Sequence, residues 1–429
     1  MGKILASKLR ETPCNSVVNY SLISNAGFPV YLRGFSAIDA YLGRNSSAAV
    51  YASCRADLAD LARLFENLRY PGAEFADAAA DAVADTAAAA AAGGKAWYFR
   101  CDDSRDTQST FSFLEFYQDC KTRRFYDPNG VYPYLRYLRD GVTYGTSLQG
   151  DDTLVPDAAS WLGTLNANAA PNRALFDAAI SLARYFPQTG VKGINAVAAL
   201  LPSLEKIAPP SIEEQRLLLM EILSAENPAP GFELLKRCGF IASCWPELAV
   251  LDDVDHSKEF HPEGNVWKHT MEALRYRKPR APDQSGGNLF QTLSLGLLLH
   301  DVGKPLSYSA GRRRFDGHAE LGTSQARRFL ERLGFNAQLV NDVCYLVRNH
   351  MLPAALPRLP LIRTGEIMSS PLFPLLMELY RCDESSSFKG LDGYYQSSAA
   401  YRSFLKHSRN PYRSADGKVL AKGQAFSFF

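Results

Sequence analysis

The run "LSLGLLLHDVGKP" ends an apolar helical pattern in adjacent His300 and Asp301, followed at once by Gly303 and Lys304. Packing accounts for Leu293, Leu297 and Leu298 but not for the His-Asp pair, which is costly beside a core unless a metal or hydrogen bonds satisfy it. Three other segments offer ligands of the same kind near their ends: His269, His350 and Asp383. Five of the seven histidines fall between positions 261 and 350, His318 among them. Imidazole and carboxylate together suit Mg, Mn, Ni, Zn or Fe, so this set can build one or two hydrolytic metal centres. The competing reading makes His269 and His350 buried histidines bonded to backbone, with His300 capping its helix. Lys304, three residues past Asp301, can meet a phosphoryl oxygen as a point charge. Arg348 and the run Arg312 to Arg314 could receive a phosphate ester, although a charge run also serves as a plain wet face. Glu320 is placed to orient a ligand or to face solvent.

Such ligands must be brought together by several helices, as in a bundle. "HPEGNVWKHTMEALRYR", "NLFQTLSLGLLLHDVGK", "AELGTSQARRFLERLG", "NAQLVNDVCYLVRNHM" and "PLFPLLMELYRCDESS" each predict a helix. Upstream, "NRALFDAAISLARYF", "GINAVAALLPSLEKI" and "SIEEQRLLLMEILSA" are helical by the same spacing, with a capping box from Ser211 to Glu214. "PAPGFELLKRCGFIASCWPEL" reads as short helical turns broken at Gly239 and Pro246. Residues 1–150 differ: "FPVYLRGF", "AWYFRCDD", "TFSFLEFYQDC" and "RRFYDPNG" have the aromatic and branched residues of strands between turn signals. The alanine-rich run from 76 to 94 reads as a helix ending at Gly93 and Gly94, or as an ordered insertion. The expected fold is α+β: a mixed-sheet head over 1–150, a helical neck over 151–255, a helical metal-binding domain over 256–395, and a tail over 396–429 whose role the sequence leaves open.

At 429 residues and 46% hydrophobic content the chain can fill cores of this number and size. A formal charge of +2 does not advertise nucleic-acid binding, and leaves a local basic groove open. The eight cysteines form no CxxC pair, which argues against a zinc ribbon and for reduced thiols. No stretch of about 20 uninterrupted apolar residues occurs, so the expected location is the cytoplasm, with no membrane partner. Oligomeric state is not legible.

"LLLHDVGKP" resembles the signature of the HD-domain metal-dependent phosphohydrolases. With "HPEGNVWKHT", "FDGHAELG", "VRNHM" and "LYRCD", it is similar to the HD domain at the tail of bacterial tRNA nucleotidyltransferases and poly(A) polymerases. The resemblance implies that His269, His300, Asp301 and Asp383 are the primary metal ligands, with His318 and His350 serving a second metal or a phosphate. The expected catalytic group is His300, Asp301 and Lys304, with His318, Arg348, His350 and Arg314 expected to contact substrate. The implied reaction is hydrolysis of a phosphomonoester or phosphodiester in a nucleotide, cyclic phosphate or RNA end.

"GFPVYLRGFSAIDAYLGR" resembles the phosphate-cradling opening of the nucleotidyltransferase head in the same family. Gly34, Asp39, Gly43 and Arg44 fit that pattern, whereas Phe35 stands in place of its second glycine and Ile38 in place of its arginine. The two metal-binding aspartates expected next fall at Ala48 and Val50. In "FDAAISLARYF" Asp177 fits the nucleotide-selecting motif, but the expected arginines fall at Ile180 and Ala183. Two-metal nucleotidyl transfer cannot run on alanine and valine. The expectation is a phosphohydrolase with a head that has lost catalysis. Two alternatives stay open: a noncatalytic RNA-binding or scaffold protein with a structural metal, and an active nucleotidyltransferase.

Overall fold

The computed structural model describes residues 24–43, 50–54, 63, 68–69, 81–84, 97–100, 117–126, 171–201, 210–255, 264–278, 287–309, 315–387 and 390–407. The chain divides into two units: residues 1–240 with 281–287, and residues 241–280 with 288–429.

The first unit holds a seven-stranded mixed sheet in the order β3-β4-β5-β2-β1-β6-β7. Its strands are β1 (Val30–Arg33), β2 (Val50–Cys54), β3 (Leu68–Arg69), β4 (Asp81–Ala84), β5 (Trp97–Arg100), β6 (Tyr117–Asp119) and β7 (Phe125–Tyr126). β2 and β5 run parallel while the other pairs are antiparallel. In β1 the side chains alternate: Val30 and Leu32 are buried, while Tyr31 and Arg33 sit at intermediate depth beside Tyr117. Helix α1 (Gly34–Leu42) follows directly and ends at Gly43 in the left-handed conformation.

The alanine-rich run departs from its helical reading where it is described. Asp81–Ala84 is strand β4, paired with β3 on one side and with β5 on the other. Alanine's helix preference is worth only tenths of a kcal/mol per residue over ordinary alternatives, too little to outweigh ladders on both sides. The rest of 76–94 lies outside the described residues, as do the "DPNG" turn, Arg44 and Ala48.

Further described helices of this unit are α2 (Pro171–Tyr185), α3 (Val191–Leu200), α4 (Ile212–Leu223) and α5 (Ala229–Arg237). Ser211 and Glu214 close the anticipated capping box at the start of α4. α5 approaches α2 at Gly231, where a methyl group would lie 2.6 Å from the Ala179 carbonyl oxygen. Phe35 is buried at the start of α1, with the Arg184 guanidinium 5.3 Å from its ring centre and the Tyr185 ring at 6.2 Å. Arg184 in turn forms a buried ion pair with Glu221.

The second unit is helical where described: α6 (Val266–Arg275), α7 (Gly287–Leu299), α8 (Lys304–Ser309), α9 (His318–Arg332), α10 (Ala337–Asn349), α11 (Phe373–Ser385) and α12 (Asp392–His407), with a helix over Leu361–Met368 and shorter turns between. Asparagines cap two of these: Asn265 accepts from the Lys268 amide and Asn336 from the Leu339 amide. α7 buries Leu293, Leu295, Leu297, Leu298 and Leu299, as a helix enclosed by neighbours must. A methyl group at Gly296 would meet Leu346 of α10 at 2.8 Å and Leu379 of α11 at 3.3 Å. Polar ties fix α6 against both α7 and α11: Arg277, just past α6, donates to Ser294, and Arg381 donates to the Tyr276 carbonyl at 2.6 Å. Helix α12 lies in the stretch whose role the sequence left open. It buries Tyr401 and Phe404, Tyr401 packing on Phe373 with ring centres 4.6 Å apart.

Candidate metal centre

The close of α7 is pressed onto the opening of α9. A methyl group at Gly303 would fall 2.0 Å from the His318 carbonyl oxygen and 2.4 Å from the Gly322 nitrogen, so only glycine fits this turn. That contact brings His318 alongside the His300–Asp301 pair.

Three of the four histidines are aimed by one device. The Nδ1 atoms of His300, His318 and His350 lie 2.7, 2.8 and 2.7 Å from the carbonyl oxygens of Leu297, Phe315 and Val347, each three residues earlier. Two of those carbonyls belong to the last turns of α7 and α10, where helix acceptors go unpaired. Donation from Nδ1–H leaves the Nε2 lone pair facing inward. His269, inside α6, has a side-chain partner instead. Ser386 Oγ stands 3.1 Å from its Nδ1 and donates to the Asp383 carbonyl at 2.6 Å, so its remaining lone pair is suited to accept from His269. The backbone-bonded reading of these histidines and the ligand reading therefore describe opposite sides of the same rings.

The freed donor atoms form two groups, His269 with His300 and Asp383, and Asp301 with His318 and His350. In the first, His269 Nε2 lies 2.9 Å from Asp383 Oδ1 and 3.4 Å from His300 Nε2. In the second, His318 and His350 bring their Nε2 atoms within 2.9 Å of one another. Asp301 faces both. Its Oδ2 lies 3.2 Å from His300 and 3.8 Å from His269, while its Oδ1 lies 3.5 Å from His318 and 3.7 Å from His350. Two ligands about 2.1 Å from a shared cation are separated by roughly 3.0–3.5 Å, and most of these spacings fall in or near that range. The donors thus fit divalent cations in chemistry and separation.

Electrostatics favour the ligating form of Asp301, Asp383, His318 and His350. Burial would raise the Asp301 carboxyl, but the charges of His300 and Lys304 outweigh it and hold the group well below the usual carboxylate range. Asp383 is likewise depressed, its bond to His269 overcoming burial. Burial, then the neighbouring His300 charge, pushes the His350 imidazole down to about 3, and burial lowers His318 too. Neutral imidazoles and ionised carboxylates are the forms that bind metal.

Lys304 Nζ contacts Asp301 Oδ2 at 2.6 Å, so the lysine reaches the centre itself. The expected substrate contacts are less gathered. Arg348 is exposed in the last turn of α10, Glu320 is exposed in the first turn of α9, and Arg314 lies outside the described residues. In the head, Gly34 has a positive φ of 49° at the start of α1, and Ile38 and Asp39 are buried. Val50 opens β2. Ser386 was missed by sequence reading, although its place three residues after Asp383 was a usable signal. No described helix is long and apolar enough to cross a membrane.

The HD-domain family model matches residues 288–372, which include His300, Asp301, His318 and His350. The chain is 36% identical over 151 residues to the CC-adding tRNA nucleotidyltransferase of Thermus thermophilus, covering 34% of this chain and 32% of that protein. It is 30% identical over 226 residues to the A-adding tRNA nucleotidyltransferase of Deinococcus radiodurans, covering 51% and 50%. The matched part thus spans no more than about half the length of these relatives. A solved tRNA-processing enzyme aligns over 93% of this chain and 94% of its own at 13% identity and a TM-score of 0.40, a likeness too loose to bear on function. His269 and Asp383 lie outside the matched segment, yet both supply donor atoms to the first cluster. The chain carries an HD-domain module with an intact pair of candidate metal clusters.

Proposed function

We propose that this protein is a metal-dependent phosphohydrolase acting on a phosphomonoester or phosphodiester in a nucleotide, cyclic phosphate or RNA end. One observation carries the reading: four Nε2 atoms and two carboxylates converge, with the two oxygens of Asp301 facing different histidine groups. His269, His300, Asp383 and Asp301 Oδ2 would hold one divalent cation, and His318, His350 and Asp301 Oδ1 a second. Bound there, the cations supply Lewis acidity and a nucleophilic water at neutral pH. Asp301 fixes the spacing of the two groups, and the backbone carbonyls hold the imidazoles in the required tautomer. Lys304, already ionically engaged at Asp301, meets the negative oxygens of an incoming phosphoryl group.

The first 150 residues form, in this reading, a head that no longer transfers nucleotides, followed by a helical neck over 151–255, the hydrolase over 256–395 and a tail over 396–429. Burial of Phe35 against Arg184 supports it, because a phosphate loop needs close backbone approach and the nearby cation is committed to Glu221. The six described cysteines are free thiols, in keeping with a cytoplasmic setting.

The test is a phosphohydrolase screen of wild type and the His300→Ala, Asp301→Ala double variant in Mg, Mn, Ni and Zn. Metal-dependent turnover of a phosphoester, lost in the double variant, is expected. Bound metal without turnover on nucleotides, cyclic phosphates or RNA ends would instead favour a binding protein. Nucleotide incorporation into tRNA or oligo(A) would contradict the inactive head.

A further inference from the structure

Beside the metal clusters lies an aromatic surface that hydrolysis of a bare phosphate does not need. Lys304 Nζ is 2.6 Å from Asp301 Oδ2 and 5.7 Å from the centre of the Phe315 ring, so two short steps lead from the metal-facing carboxylate to that ring. The Tyr308 ring follows, 6.4 Å from Phe315 with its plane tilted by 39°. Tyr308 is 64% exposed, and Phe315 is half-buried. Phe315 also holds a positive φ of 59°, a conformation unfavourable for a bulky residue. Its carbonyl oxygen accepts from His318 Nδ1 in that conformation, so one residue both orients a candidate ligand and sets a ring at the edge of the centre.

We propose that Phe315 and Tyr308 form a ledge on which the base of a nucleotide stacks while its phosphate occupies the clusters around Asp301. The inference rests on the hydrolase reading and sharpens it: the substrate carries a nucleobase. Lys304 lies between ledge and carboxylate, so one cation can serve both the phosphate and, through its neighbour ring, the face that receives the base. Aromatic stacking accepts any base, so the ledge confers a preference for nucleotides over sugar phosphates without selecting a sequence.

The test compares AMP with ribose 5-phosphate, which differ by the base, in calorimetric titrations of the full chain with and without Mn(II). Wild type is expected to bind AMP about 5- to 150-fold more tightly than ribose 5-phosphate, the range that stacking one base supports. Tyr308→Ala removes an exposed ring. Phe315→Asn removes the other ring with a residue that tolerates the positive φ. Each is expected to shrink that ratio several-fold, and Tyr308→Phe to restore it. A wild-type ratio near one, with binding of both probes dependent on Mn(II), overturns the ledge and leaves the metal centre standing. A large ratio that falls in Tyr308→Ala but ignores Mn(II) keeps the ledge and overturns the metal centre. Failure of both probes to bind overturns both.

Discussion

Two regions of this molecule bury charged side chains, and they do so to opposite ends. In the head and neck, Arg184 and Glu221 neutralise one another beneath the Phe35 ring. In the helical unit, His269, His300, His318 and His350 are held from behind by carbonyls or a hydroxyl, and they turn their second nitrogens toward two carboxylates. The first arrangement pairs opposite charges directly. The second is a set of lone pairs pointed at one another, which a cation would stabilise. Burial of charge alone therefore does not mark a functional site; the direction in which the remaining donor atoms face does.

The contrast is broken most severely at Asp301 and His300. Replacing both by alanine is expected to lower phosphoester turnover by ~10³-fold or more, since it removes ligands from both groups. Rates with and without a chelator measure this, and an unchanged rate would separate the clusters from the chemistry. The reciprocal change is Glu221→Gln, which leaves Arg184 buried without its counter-charge. It is expected to cost about 3–5 kcal/mol of stability by denaturant unfolding, with hydrolysis per folded molecule retained. Loss of turnover in the still-folded variant would mean that the neck contributes to catalysis.

Finer changes sharpen the same comparison. Ser386→Ala withdraws a hydroxyl partner of His269 and is expected to weaken metal binding at the first cluster by roughly 10–100-fold, with the His318 and His350 pair spared. Competition with a metal indicator reads this out, and Ser386→Thr is expected to recover most of the loss. Asp39→Asn, in the head, is expected to leave turnover per folded molecule where it was; a drop there would restore a catalytic role to the head.

The candidate site was legible in the sequence because its chemistry lies in residue types that packing does not explain, most of them placed near helix ends. His300 and Asp301 follow five leucines of one helix, all of them buried, and packing gives no reason for either. What could not be read is which nitrogen faces inward, since that depends on carbonyl directions fixed by the fold. The roles of Gly303 and Ser386 depend likewise on the approach of other elements. In the head, the sequence exposed the missing glycine at Phe35 but not its distant partner Arg184. The helical reading of the alanine-rich run failed at Asp81–Ala84 because ladder bonds to β3 and β5 come from residues outside the local window. Helix α12 escaped because its buried face is carried by Tyr401 and Phe404 in an otherwise polar stretch.

The most direct measurement is the stoichiometry and affinity of Mn(II) in wild type, Asp301→Asn and His318→Ala, by calorimetric titration with elemental analysis of the recovered protein. Two bound ions in wild type are predicted, with both weakened in Asp301→Asn and only one in His318→Ala. Absence of bound metal in wild type, or an Asp301→Asn variant that still takes up two ions with unchanged affinity, would contradict a metal centre built around that shared carboxylate.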